Sequence, residues 1–565
     1  MDKPHKLCQN PTHMDERRAA GDDPRLNHWA DHAAARTLAE HPGREVYTCA
    51  AGITPSGVVH VGNFREVITV DLVARALRDR GVQVRFIYSW DDFDVFRKVP
   101  AGMPKRELLE SNLRRSIVDV PDPYGEHASY ADHHIAAFES SIAPLGIAPE
   151  FIRQSKRYRA GTYAQGIHTA LERRVAVREL LNLAREETTA RSRLGEEWLP
   201  LAGFCGACGR DELDFELSDD PWIVRYRCTS CDHRRAVDLR EGGDLKLPWR
   251  IDWPMRWAYE GVCFEPGGKD HSSAGGSFDT AKRIVAEIYG GEAPTYVGYD
   301  FVRIKGRAGK ISSSSGEVVT VADCLEIYEP ALLRWIFVNY RPNTEFQISF
   351  DLDVIKIYED HDRMWRLAHD ADDGSKEDAK RLTARRVLQL ASVDHRRIEG
   401  GAPAPFLPPF RPLSMILQVY DGDIDRVVAH YVASGEARTA EEQARCRQRA
   451  LCVWRWINDY APDEFRYRIR DAAIVRPLAD EEALALGRLA AVLRAQPEID
   501  EPGLVPTMKA LTEGTSLDNR AFLPVVYDLL IGREKGPKVT TLISTMTAPR
   551  ALALIEPSLA ARRAT

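Results

Sequence analysis

The sequence has no apolar run approaching the ~20 residues that a helix needs to cross a bilayer. Its opening stretch, MDKPHKLCQNPTHMDERRAAGDDP, is polar and mixed in charge, and without an apolar core it is not a secretory signal. Residues 1–24 are therefore expected to be a disordered extension, and the chain cytoplasmic. An excess of positive charge is missing too: 77 Lys and Arg against 84 Asp and Glu leave a net charge of −7. That argues against a uniformly basic, nucleic-acid-binding surface, although cations gathered on one face would still serve. Ten cysteines in 565 residues, with no signal, do not make a disulfide scaffold. Six of them (Cys8, Cys49, Cys263, Cys324, Cys446 and Cys452) are scattered and read as reduced, core-filling thiols. No internal repeat is present.

What is there is the balance of a soluble globular chain, 44% apolar and 28% charged, long enough for several domains. REVYTCA, from Arg44, reads as a strand. Val67, Val70, Val73, Ala74 and Leu77 then recur at helical spacing, Gly81 ends that helix, and VQVRFIYSW reads as a buried strand. This is a βαβ unit and predicts a parallel sheet. DTAKRIVAEIYG and PTYVGYDFVRI suggest another helix and strand, and residues 172–250 read as an insertion. After Asp351 the pattern turns helical, with a proline-rich break at GGAPAPFLPPFRP.

Between the first strand and its helix lies TPSGVVHVGN, Thr54 to Asn63. Ligands bind beyond the carboxyl ends of parallel strands, and a helix N-terminus there attracts phosphate. Gly57 and Gly62 would let an anion approach the backbone, and His60 and Asn63 would donate to it. On its own such a stretch is simply a turn. A second Gly/Ser loop, GRAGKISSSSG, carries Lys310 and follows a predicted strand within the sheet domain.

Together the two resemble the paired signatures of class I aminoacyl-tRNA synthetases. HVGN is similar to His-Ile-Gly-His, with Asn63 as its last residue, and KISSS to Lys-Met-Ser-Lys-Ser, with Ser313 in place of the second lysine. GITPSGVVHVGNFREV, SWDDFDVFRKVP, LPWRIDWPMRW, EPGGKDHSSAGGSFDT and LLIGREKGPK resemble the class I lysyl-tRNA synthetases. The fold implied is an α/β Rossmann-like parallel-sheet catalytic domain (25–350) with an inserted zinc-binding region (172–250). An all-α, tRNA anticodon-binding domain (351–565) follows.

The resemblance implies ligation of L-lysine to tRNA(Lys) through a lysyl-adenylate, with ATP, Mg²⁺ and Zn²⁺. Alternatives are a glutamyl-type or other class I synthetase, a relative that transfers its activated amino acid elsewhere, and a non-catalytic tRNA-binding paralogue. No membrane partner is expected, and oligomeric state is left open. His60, Asn63 and Lys310 are the catalytic candidates. Pro55, Ser56, Gly57, Gly62, Gly268, Asp270, His271, Ser312 and Ser314 are the ATP-site candidates. Asp270 reads equally as the N-cap of the following helix. Gly52, Thr54, Asp91, Asp92 and Trp253 are the candidates for lysine, whose ammonium calls for acids or aromatic faces.

Cys205-x2-Cys208 and Cys228-x2-Cys231 have the spacing of a structural four-thiolate zinc site. Asp122, Glu126, His127 and His133 form a second candidate, in which Glu126 stands where the family has a cysteine; a solvated acidic loop competes with that reading. FRYRIR, from Phe465, suits stacking on unpaired bases and equally the edge of an ordinary helix.

Overall fold

The computed structural model describes residues 27–187, 192–269, 276–306 and 318–563. The N-terminal extension and Asp270, His271, Lys310, Ser312, Ser313 and Ser314 lie outside these residues.

Helix α1 (Trp29–Glu40) leads into strand β1 (Val46–Ile53), helix α2 (Val61–Arg78) and strand β2 (Gln83–Trp90). Helix α3 (Tyr130–Ile142), strand β3 (Glu150–Arg153), helix α4 (Trp249–Glu260), strand β4 (Val262–Gly268), helix α5 (Ser277–Glu287) and strand β5 (Thr295–Tyr299) follow. The five strands form one parallel sheet in the order β5-β4-β1-β2-β3. The chain winds outward one way from β1 through β3, then returns to the other side of β1 with β4. The crevice between the carboxyl ends of β1 and β4 is therefore a topological switch point, where such sheets bind ligands.

α2 runs beside this crevice and is buried on most sides. Phe64, Val67, Val70, Val73 and Leu77 are at most 1% exposed. Three charged residues of this helix, Arg65, Asp71 and Arg75, find partners inside the protein. Asp71 takes Arg75 at 2.8 Å and the fully buried Arg334 at 2.6 Å, and Arg65 donates to the Arg341 and Pro342 carbonyls. An unpaired charge there would cost several kcal/mol, on the order of 3–5.

The insertion holds a helix, Arg174–Glu187, and a three-stranded antiparallel ribbon of Leu213–Leu217, Ile223–Cys228 and Arg234–Asp238. Val224, Tyr226 and Val237 of the ribbon share an apolar cluster with Phe93 and Tyr158. The ribbon is thus anchored on the sheet domain, not only on its own cysteines. PTYVGYDFVRI is two strands, not one. β5 ends at Tyr299, Asp300 accepts from the Phe301 amide, and Val302–Ile304 pairs with Phe346–Ile348 in a separate sheet.

The chain divides into two compact units. The first holds the described residues up to Cys324 with Leu333–Ile348 and Leu367–Ala402; the second holds Leu325–Leu332, Ser349–Arg366 and everything described from Pro403 on. The change of architecture expected near residue 350 is thus several crossings, not one. Among the described residues after Ile348 there are helices and no strands. Leu486, Leu489, Leu493, Phe522, Leu530, Leu542 and Ile555 build the core of the second unit. FRYRIR is folded into that unit: Arg466, Arg468 and Arg470 pair with Asp463, Asp421 and Asp528, and Tyr467 donates to the Met415 carbonyl.

Candidate active site

The turn after β1 is built tightly. The Ser56 amide donates to the Thr54 carbonyl at 2.8 Å, and Tyr130 Oη donates to the Ser56 carbonyl. Pro55 and Gly57 are buried, while Ser56 is exposed at the rim. His60 is the N-cap of α2 and only 8% exposed. Asn63 Oδ1 accepts from the His60 amide at 3.2 Å, which leaves the Asn63 amide nitrogen as the donor end of that side chain. A Cβ on Gly62 would lie 2.9 Å from the His60 ring, so glycine is what lets the imidazole sit against its own helix. The segment thus presents a helix N-terminus and an amide donor at the switch point.

On β1, Gly52 is needed for a different reason: a Cβ there would lie 2.7 Å from the Ser89 carbonyl oxygen on β2. Gly268 ends β4 beside the Tyr299 ring, with room for an ordinary contact. Its neighbour Gly267 has none, since a Cβ would lie 2.0 Å from Tyr296 Oη.

The acidic segment after β2 is not a free acidic pocket. Asp91 pairs with Arg256 at 2.8 Å, and Arg256 also pairs with Asp252 at 3.1 Å. Asp94 takes Lys246 at 2.7 Å on one oxygen and the Thr54 hydroxyl at 2.8 Å on the other. Asp92 is wholly buried and accepts from Arg153 at 2.8 Å and from the Ser155 amide and hydroxyl. It ties β3 to β2 and has no face for a ligand, which corrects its assignment to the lysine site. Asp91 borders the crevice with its charge already answered. Burial still outweighs Arg256 and pushes the Asp91 carboxyl up to about 6.

Two carboxylates that sequence reasoning passed over lack such an answer. Glu66, one turn into α2, accepts from the Gly52 amide at 3.0 Å and from Tyr299 Oη at 2.6 Å. Glu265, inside β4, accepts from Trp253 Nε1 at 3.0 Å and from Trp257 Nε1. All four donors are neutral, and among the described residues neither carboxylate forms an ion pair. Burial pushes the Glu66 carboxyl up to about 7, with Glu265 and Asp91 adding to the shift against the two hydrogen bonds. Burial raises Glu265 too, against its tryptophan hydrogen bonds and the charge of Arg256, which forms no ion pair with it. A carboxylate held out of water without an ion-pair partner is costly, and a cationic ligand lowers the cost. The signal was available: a lone glutamate in the apolar run FREVITV, and another in the buried strand VCFEPGG. Trp253, an expected lysine contact, lies here, stacked on Trp249 and tilted against Trp257.

The four cysteines of the insertion converge, their sulfurs all within 4.8 Å of one another. Cys205–Cys231 and Cys208–Cys228 are 3.7 and 3.6 Å apart, far beyond the ~2.05 Å of a disulfide. Four sulfurs about 2.3 Å from one zinc would be about 3.8 Å apart, so the cradle fits that ion. Against burial, the Cys208 and Ala207 amides hold the Cys205 thiol down to about 7, which favours a thiolate ligand.

In the second candidate metal cluster, Glu126, His127 and His133 bring their ligand atoms within 4.8 Å. Asp122 stands beside them, 3.6 Å from His133 Nδ1, but its oxygens accept from the Tyr124, Glu126 and His127 amides. It shapes the loop that delivers Glu126 and His127 to His133 on α3.

The parallel sheet with its switch point, the histidine-capped helix N-terminus beside it and the inserted cysteine ribbon are the parts expected of a class I aminoacyl-tRNA synthetase. Within that class, the profile described as "tRNA synthetases class I (K)" matches residues 27–393, and the chain belongs to this family. It is 42% identical to the lysine–tRNA ligase of Treponema pallidum over 527 residues, 93% of this chain and 97% of that one. With the lysine–tRNA ligase of Borreliella burgdorferi the figures are 42%, 93% and 98%, and with that of Pyrococcus furiosus 36%, 92% and 97%. No helix among the described residues is long and apolar enough to cross a membrane.

Proposed function

We propose that the protein ligates L-lysine to tRNA(Lys) with ATP, through a lysyl-adenylate. The observation that carries this reading is a pair of carboxylates, the half-buried Glu66 of α2 and the buried Glu265 of β4, whose hydrogen bonds come only from neutral donors. They suit the ε-ammonium of lysine, with Trp253 along its stem and Gly52 and Thr54 at the mouth. Glutamate would meet repulsion in the same place.

The lysine carboxylate attacks the ATP α-phosphorus and pyrophosphate leaves. A ribose hydroxyl of the terminal tRNA adenosine then attacks the adenylate carbonyl and AMP leaves. The α2 N-terminus, His60 and the Asn63 amide donate to phosphate oxygens as charge develops on them. Lys310 neutralises the departing pyrophosphate, with Ser312 and Ser314 as further contacts to ATP. Pro55, Ser56, Gly57 and Gly62 shape the phosphate turn. Gly268 and Asp270 hold the ribose, and His271 the adenine or the amino acid. Mg²⁺ arrives with ATP and offsets its charge.

Zinc in the four-cysteine cradle is structural, since four thiolates leave no open position. Glu126, His127 and His133, with Asp122 behind them, are a second zinc site. The helical unit reads the anticodon, and reduced cysteines suit a cytoplasmic setting. ATP–pyrophosphate exchange with each amino acid in turn tests the assignment. Lysine alone should support exchange; exchange with glutamate and not lysine would overturn it.

A further inference from the structure

Lys246 stands at the root of the cysteine ribbon. It lies on the two-residue strand Leu245–Lys246, which pairs with Ala202–Gly203 just ahead of Cys205. Its side chain is 10% exposed, with the ammonium 5.8 and 5.9 Å from the ring centres of Phe93 and Tyr158. Nζ donates to the Phe93 carbonyl at 3.0 Å and to Asp94 Oδ1 at 2.7 Å. Asp94 Oδ2 in turn accepts from Thr54 Oγ1 at 2.8 Å. One unbroken chain of bonds thus leads from the ribbon root to the loop that opens the crevice. A purely packing role between two aromatic rings would be met by a methionine, without the cost of burying an ammonium.

We infer that Lys246 is a positioning residue for amino-acid recognition: it holds Asp94, and through Asp94 the Thr54 hydroxyl, in place at the mouth of the pocket. This rests on the reading of that pocket as a lysine site. Lys246 also answers the charge of Asp94 as Arg256 answers that of Asp91.

Steady-state ATP–pyrophosphate exchange on the full-length protein tests this. Lys246→Met should raise the lysine KM about tenfold or more, with the ATP KM and kcat changed less than about threefold. Thr54→Val should do the same, and the double variant should be no worse than Thr54→Val alone, because both act through one hydroxyl. Lys246→Arg, which keeps the charge, should restore much of the lysine KM. If Lys246→Met alone does not fold, the Asp94→Asn/Lys246→Met pair leaves no unanswered buried charge and carries the same expectation. A lysine KM within twofold of wild type overturns the inference. So does an equal loss in both KM values and kcat, or multiplication of the Lys246 and Thr54 effects. Wild-type protein that exchanges no lysine would instead overturn the lysine-site reading on which the inference rests.

Discussion

At the proposed lysine site, burial lifts the Glu66 carboxyl to about 7, well above its ordinary value near 4.3. The folded protein therefore keeps a proton that the unfolded chain releases, and loses stability through this group as pH rises from about 4.3 through 7. A lysine ammonium pairing with Glu66 would reverse this, because it pairs only with the ionised form. The lysine KM should thus rise as pH falls below about 7, approaching tenfold per unit, and lysine should raise Tm more at pH 8 than at pH 6. Glu66→Gln should raise the lysine KM about tenfold or more, in line with ~1.5–3 kcal/mol for a charged hydrogen bond, and flatten that pH dependence. Exchange kinetics at several pH values check both, and tighter lysine binding at pH 6 would rule the role out.

At the scale of elements, the α2 N-terminus is shaped by what surrounds His60. Removing the ring (His60→Ala) should cost about 2–4 kcal/mol in kcat, the usual effect of one transition-state donor. Gly62→Ala should fold and yet lose kcat too, because the added Cβ, 2.9 Å from the imidazole, displaces it. Pre-steady-state adenylation rates would check this, and a Gly62→Ala enzyme as fast as wild type would show that His60 is not held by that contact. The ribbon behaves differently. Cys205→Ser should release about one zinc per chain, seen by elemental analysis, and expose 203–238 to protease, because metal binding there is folding energy. Its packing on Phe93 and Tyr158 should limit the damage to the ribbon, leaving the ATP KM unchanged. Unchanged metal content in Cys205→Ser would remove the site.

At the scale of the molecule, the layout of the chain was legible where local patterns are strong. The βαβ start, the inserted cysteine pairs and the late helices all follow from spacing. The turn after β1 was readable because glycine, histidine and a helix start coincide in one short segment. What stayed hidden depends on contacts between distant residues. Asp91 and Asp92 read as lysine contacts until Arg256 and Arg153, 165 and 61 positions away, are seen to answer them. Glu66 and Glu265, single acids in apolar runs, stand out only once they are known to lack a cation. The arginines of FRYRIR are likewise taken by acids of their own unit. A chain of net charge −7 with so many of its arginines paired internally must bind the tRNA polyanion through local patches of cations. Binding through such patches releases counterions and weakens steeply with salt, whereas the proposed lysine site offers enclosed, poorly screened groups. Between 50 and 200 mM salt the tRNA KM in charging assays should therefore climb by about tenfold or more, while the lysine KM in pyrophosphate exchange should move less than about twofold. A tRNA KM insensitive to salt would mean that recognition rests on base contacts and shape instead of phosphate charge.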